Sequence, residues 1–168
     1  KCADRDLKDL KIITCHLGNG SSITATAGGK AVDTSMGFTP QEGILMGTRS
    51  GSIDPTILPY LMKSEGLTAD GIEALINKKS GLLGVSGISN DSRDVNRAAK
   101  EGNPRAVLAL NMLANGIKKY IGSFAAEMNG LDVLVFTAGI GENDECIRRM
   151  VCADLDFLGI EIDKDSNN

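Results

Sequence analysis

Residues 131–136 read Leu-Asp-Val-Leu-Val-Phe and run directly into Thr137-Ala138-Gly139-Ile140-Gly141-Glu142-Asn143. This junction constrains the fold more than any other stretch. A short, nearly continuous apolar run is the pattern of a strand covered on both faces, as in a sheet flanked by helices. A glycine turn that leads from such a strand into a helix is where open α/β sheets hold ligands. The stretch predicts a strand over 131–136, a turn, and a helix over about 144–155. It is not the dinucleotide fingerprint, because no third glycine follows at the right spacing. It is not a Walker loop, because the Gly-Lys-Ser/Thr ending is absent. Glu142, Asp144 and Glu145 suit the positive end of a helix dipole but would repel a bare phosphate. Contact with a sugar, a base or a metal-shielded phosphate fits this turn better.

The other strands lie far upstream. KIITCHL over 11–17 is β-branched and apolar, and Gly18-Asn19-Gly20 is a hairpin-turn signal. Residues 22–27 and 30–35 follow, separated by Gly28-Gly29, so a three-stranded meander is predicted. Residues 36–54 are Gly-rich and patternless. A loop of that length inside a compact domain is usually functional. Helices are predicted from Pro55 to Ser64 with Asp54 as cap, from Thr68 to Lys79, and from Asp91 to near Gly102. A long helix is predicted over 105–129, opened by Asn103-Pro104 and ended by Gly130. Leu110, Leu113, Ile117, Ile121, Phe124 and Met128 mark its apolar face. Residues 81–88 form a short apolar stretch with three glycines, and 157–162 reads as a possible last strand. This order is that of an α/β domain: a sheet of mixed direction with helices on its faces.

Composition narrows the function. The chain has 168 residues, 42% hydrophobic and 24% charged, as expected of one globular domain with a real core. Net charge is −4, and the densest basic spots are the pairs Lys78-Lys79 and Lys118-Lys119, so nucleic acid is not an expected partner. No stretch has the apolar length of a membrane span, and the charged start Lys1-Cys2-Ala3-Asp4-Arg5-Asp6 lacks the apolar core of a signal peptide. Cys2, Cys15, Cys146 and Cys152 form no C-x-x-C pair, and His16 is the single histidine, so no local zinc site is offered. They read as free thiols of a reducing, cytoplasmic compartment. The chain starts at Lys1 and ends in a polar tail, and both ends read as cuts in a longer chain.

Four segments carry candidate chemistry. His16 precedes a glycine turn whose backbone can approach a ligand closely, with Ser21 and Ser22 adding hydroxyls. In a strand, a hydrogen-bonded core histidine is the competing reading. Arg49 lies among glycines and hydroxyls in the long loop, and a guanidinium fork suits a transferring phosphoryl group. Pairing with Asp54 or Glu42 is its plainer alternative. Asp91-Ser92-Arg93 could reach a nucleotide, or Asp91 could be an N-cap alone. The turn from Gly139 to Asn143 is the fourth segment.

Together and in order, CHLGNGSS, DTSMGFTPQEGILMGTRSGSIDP, KKSGLLGVSG and FTAGIGEN closely resemble the acetokinase family, over about Lys11 to Asp163. That family includes acetate, propionate and butyrate kinases, and DTSMGFTP favours the first two. The resemblance implies a ribonuclease-H-like domain of the actin, sugar-kinase and heat-shock ATPase superfamily. Residues 1–168 would be most of the C-terminal, nucleotide-binding domain of a two-domain enzyme. It implies reversible transfer of the ATP γ-phosphoryl group to acetate with Mg²⁺, giving acetyl phosphate and ADP, and a homodimer formed through this domain. By the same resemblance, His16 and Arg49 steady the transferring phosphoryl group, and Asn19 with Gly18 and Gly20 contacts phosphate. Asp91, Ser92 and Arg93 surround the adenosine, although Ser92 stands where a bulkier residue is common. Gly139, Ile140, Gly141 and Asn143 form the nucleotide turn, and Pro40 forms one wall of the acyl pocket. The family's catalytic Asp, its carboxylate-binding Arg and a second active-site His would precede this segment, and a Glu that helps hold Mg²⁺ would follow it. No metal ligand is therefore expected within these residues, and the isolated segment is expected to be inactive.

Overall fold

A computed structural model describes residues 5–167. Cys2, expected to be a free thiol, lies outside them. The meander forms as predicted: β1 (Lys11–Leu17), β2 (Ser21–Ala27) and β3 (Lys30–Thr34) pair antiparallel in sequence order. A later strand, β4 (Val133–Thr137), joins β1 in parallel, which gives the mixed sheet order β3-β2-β1-β4.

Alternation along the strands decides which face is covered. Ile13, Cys15, Leu17, Ile23 and Ala25 are completely buried on one face. Ile12, Thr14, Ser22, Thr24 and Thr26 take the other face half-buried, and His16 is exposed there. The covered face receives the long helix α5 (Pro104–Glu127). Asn103 caps that helix, accepting from Arg105 and Ala106 N–H at 3.0 and 3.1 Å. Its inner stripe, from Ala106 through Leu113, Ile117 and Ile121 to Ala125, is buried. Burial of each such Ile or Leu side chain stabilises the fold by about 1.5–3 kcal/mol. Three shorter helices pack on α5: α3 (Gly81–Ser86), α4 (Ser92–Lys100) and α7 (Glu145–Cys152). The pair α1 (Ile57–Ser64) and α2 (Ala69–Lys78) sits further out, and α6 (Ala138–Asn143) links β4 to α7.

Several expectations are corrected. The strand near 131–136 is half-buried along its whole length, not covered on both faces. Its far edge has no partner strand among the described residues. Residues 157–162 form no strand. A 3-10 turn at Asp156–Leu158 ends at Gly159 in the left-handed region (φ 74°), which breaks the extended path. Leu158 and Ile160 pack on the core instead. The stretch after Gly81 is helical, closed by left-handed Gly87. Asp54 does not cap α1 as predicted, because Thr56 takes the N-cap position and Asp54 closes the turn before it. It accepts from Thr56 N–H and hydroxyl at 2.9 and 2.7 Å, and α1 starts at Ile57.

The long loop is ordered by backbone bonds to its surroundings. Gly47 N–H donates to Asn19 O at 3.1 Å, and Leu82 and Leu83 N–H donate to Met46 and Gly47 O at 2.8 and 3.0 Å. Ser50 N–H reaches Ile76 O at 2.9 Å, and Ile44 and Met46 enter the core. These anchors carry Arg49 to the sheet end.

Candidate functional site

β1 and β4 run in parallel, so their carboxyl ends open at the same side of the sheet. The turn after β1, the start of α4 and helix α6 after β4 meet there around an open cleft of about 1160 Å³. Gly18 and Asn19 form one wall. Asp91, Ser92 and Arg93 form the second, and Gly139, Ile140 and Asn143 the third. Sequence reasoning singled out these three segments separately, 71 or more positions apart for the first two, and the fold brings them together.

The remaining candidates stand beside the cleft or behind it. His16 is exposed at the end of β1, with Nδ1 3.0 Å from Thr137 Oγ1, so the core-histidine alternative fails. Arg49 does not pair with Asp54, whose carboxylate is taken by Thr56. Its Nη1 reaches Pro40 O at 3.4 Å and Met46 Sδ at 3.8 Å. A Cβ at Gly20 would stand 3.1 Å from Arg49 Nη1. Gly20 therefore makes room for a guanidinium, and its φ is not left-handed as a hairpin glycine's would be. Arg49, Gly20 and Pro40 thus form one group. Gly141 is not in the cleft. It is buried against the backbone of Phe136 and Cys15, where a Cβ would have 3.3 Å and 3.5 Å of room, so its smallness serves packing. Ser21 is also withdrawn: its hydroxyl is buried and closes the turn by bonding Gly18 N–H at 3.1 Å and Gly18 O at 3.0 Å.

Asp91 is both a helix cap and part of the cleft lining. It caps α4, accepting from Arg93 N–H at 2.9 Å, and it lines the cleft. The Arg93 guanidinium grips the same carboxylate at 2.6 Å, and this bond, with the backbone one, holds the Asp91 carboxyl down to about 2. The Arg93 guanidinium is correspondingly pushed up. In the third wall, Glu142 accepts from Ala138 N–H at 3.0 Å and Asn143 donates to Gly139 O at 2.9 Å. Asp144 accepts from Ile147 N–H at 3.1 Å, as cap of α7, and from Asn96 Nδ2 at 2.6 Å. The acidic crowd at this helix start is thus largely occupied with its own backbone. Ala138 is left-handed (φ 64°), a strained conformation for a residue with a Cβ, at the point where β4 turns into the site.

Sequence reasoning missed part of the lining: Asn90, Asn96, Arg97 and Lys100 from α4 and its approach, and Cys146 beyond α6. Arg93, Arg97 and Lys100 fall at helical spacing, a basic stripe on one face of α4 that was available in the sequence. Among the described residues no group of three His, Cys, Asp or Glu side chains could hold a metal ion.

Fold and cleft define the class: an α/β domain with an open cleft at the carboxyl ends of paired parallel strands. A model of the acetokinase family matches residues 1–168. The acetate kinase of Clostridioides difficile strain 630 is 59% identical over 98% of this chain and 41% of its own length. A crystal structure of Porphyromonas gingivalis acetate kinase superposes with a TM-score of 0.93 at 55% identity, over 96% of this chain and 40% of that one. A propionate kinase from Francisella tularensis gives 0.90 at 45% identity, over 95% and 41%. The chain belongs to the acetokinase family, and it has the ribonuclease-H-like α/β fold that the resemblance implied. It spans about 41% of the length of the curated relatives it matches.

Proposed function

We propose that this chain is the nucleotide-binding domain of a kinase that transfers the ATP γ-phosphoryl group reversibly to a short-chain carboxylate, acetate or propionate. The observation that carries this reading is the convergence of the β1 turn, the α4 start and α6 on one open cleft. Its volume lies just above the usual range of small-ligand sites, which leaves room for a nucleotide. In the proposed reaction a carboxylate oxygen bonds to the γ-phosphorus as the bond to the β-phosphate bridging oxygen breaks. The products are an acyl phosphate and ADP. Such transfer depends on positioning and charge neutralisation. His16 and Arg49 would hold the transferring group, and Asn19 would contact the phosphates with Gly18 and Gly20. Asp91, Ser92 and Arg93 would border the adenosine opposite Gly139, Ile140 and Asn143, with Gly141 backing that turn. Pro40, beside Arg49, would wall the acyl pocket. Mg²⁺, held by residues outside this chain, would neutralise phosphate charge.

Two further points belong to this reading. The exposed apolar side chains Val107, Leu108 and Met112 on α5 support a homodimer contact on that helix. No described helix is long and apolar enough to cross a membrane, and Cys15, Cys146 and Cys152 are free thiols, in accord with the cytoplasm. The test is calorimetric titration of the chain with Mg-ADP, beside Asp91→Ala. Binding that the substitution weakens is expected, and no binding by the parent refutes the reading. The chain alone is expected to form no acetyl phosphate, because His16 and Arg49 occupy only one side of the reacting group. A measurable rate would count against that division of labour.

A further inference from the structure

Two distant segments meet at Asn19, and one of them bonds its side-chain amide. Asn90 Nδ2 donates to Asn19 Oδ1 at 3.0 Å, across 71 positions of sequence. The Asn19 backbone carbonyl accepts from Gly47 N–H at 3.1 Å. A Cβ on residue 47 would stand 2.1 Å from Asn19 Oδ1 and 3.2 Å from Asn90 O, so the long loop can approach only as glycine. Both asparagines line the cleft.

A carboxamide has two chemically opposite ends: an oxygen that accepts and an NH2 that donates. Which end faces a ligand decides whether an anion is attracted or repelled. With Asn19 Oδ1 engaged by Asn90, the NH2 is the end left for the cleft. We propose that Asn90 is a positioning residue that fixes the polarity of the Asn19 amide, so that its donor faces the phosphoryl oxygens of the bound nucleotide. This rests on the nucleotide reading above. Asn90 does so from the position next to Asp91, so the segment that caps α4 also sets the polarity of the phosphate turn. The cleft wall at the adenosine end and the turn at the phosphate end are thereby tied through one amide–amide bond.

Asn90→Asp tests this with little change of shape. A carboxylate can only accept, so it draws the Asn19 NH2 toward itself and turns Oδ1 to the ligand. By calorimetry on the same chain, affinity for Mg-ADP is expected to fall about ten- to a hundred-fold, the effect of exchanging a hydrogen bond to a charged group for a repulsion. Adenosine, which has no phosphate, is expected to bind within about twofold of the parent. The new charge could act directly on the phosphates, so the substitution is repeated in an Asn19→Ala background. There it is expected to add little, because the amide it acts through is gone. Asn90→Ala, which frees the amide to turn without adding charge, is expected to give a smaller loss with the same selectivity for ADP over adenosine. Circular dichroism melts of each variant establish that it is folded. Unchanged Mg-ADP affinity in Asn90→Asp overturns the proposal, since an amide held the opposite way round would already donate to residue 90. Equal loss of adenosine and ADP, or an undiminished loss in the Asn19→Ala background, overturns it too. If the unsubstituted chain does not bind Mg-ADP, the nucleotide reading itself fails, and this inference with it.

Discussion

Asp144 presents a carboxylate to the cleft, where a charged side chain invites a ligand-binding role. Its geometry assigns it a structural one. One oxygen accepts from Ile147 N–H at 3.1 Å and caps α7, and the other accepts from Asn96 Nδ2 at 2.6 Å and ties α7 to α4. Asp144→Ala removes both. Loss of an N-cap costs about 1 kcal/mol. Loss of a hydrogen bond to a charged acceptor costs about 1.5–3 kcal/mol. Asn96 is only half-buried, so water replaces part of the second contribution and the lower end applies. The substitution is expected to destabilise the domain by about 2–3 kcal/mol, with a fall in Tm of about 5–10 °C for a chain of this size. Asp144→Asn keeps one oxygen for the cap, since Asn caps as well as Asp, but turns an NH2 toward Asn96; it is expected to lose about half as much. Urea denaturation with an unchanged m-value reads these differences. Asn96→Ala should cost as much as the bridge alone, and adding it to Asp144→Ala should cost nothing further. A fully stable Asp144→Ala that no longer binds Mg-ADP would refute this reasoning and make the carboxylate a ligand group.

Three other outcomes follow from the geometry. Asp91 is held at about 2 when folded, below its usual value near 3.9, so the stabilisation it provides is complete above pH of about 4 and is lost as pH falls toward 2; acid titration of the parent should lose stability more steeply over that window than Asp91→Asn, and parallel curves would contradict the Arg93 contact. Burial raises the Cys15 thiol to about 12, and it raises Cys152 as well, so both should resist alkylation at pH 8 while Cys146, in the cleft, reacts; peptide mapping should show Mg-ADP protecting Cys146, and equal labelling with and without nucleotide would argue against the cleft. Ile121, wholly buried on α5, should cost about 2–5 kcal/mol as Ile121→Ala, and a loss below about 1 kcal/mol in chemical denaturation would mean that α5 is not the core helix.

The parts of the fold that follow from local chemistry were legible in the sequence. The β1–β3 hairpins are bounded by their own turns. The long helix is marked by its period, its Asn103 cap and Pro104, and it appears within a few residues of the predicted span. The parts set by distant neighbours were not. Whether β4 is covered on both faces depends on which distant elements pack over them, which no residue of β4 encodes. The final apolar stretch looked like a strand until a left-handed Gly159 interrupted it. The site divides in the same way. The turn and cap residues were visible as Gly-rich and Asx-rich clusters. Asn90 and Asn96 were not, because a lone asparagine has no signature until its partner is placed 3.0 Å from one and 2.6 Å from the other. The removal of Ser21 and Gly141 from the ligand side was equally hidden. A buried hydroxyl and an exposed one look alike in a sequence.

In β1, Cys15 and Leu17 point into the core and are completely buried, while His16 between them is exposed at the site. Side chains on a strand alternate, so a slip of one residue in pairing would send an imidazole into the core and a thiol and a leucine into water. Any mispaired state that spoils the aim of His16 is therefore also a state that exposes core side chains. The core acts as a proofreader for the site: a chain folded well enough to persist has already placed its histidine on the correct side.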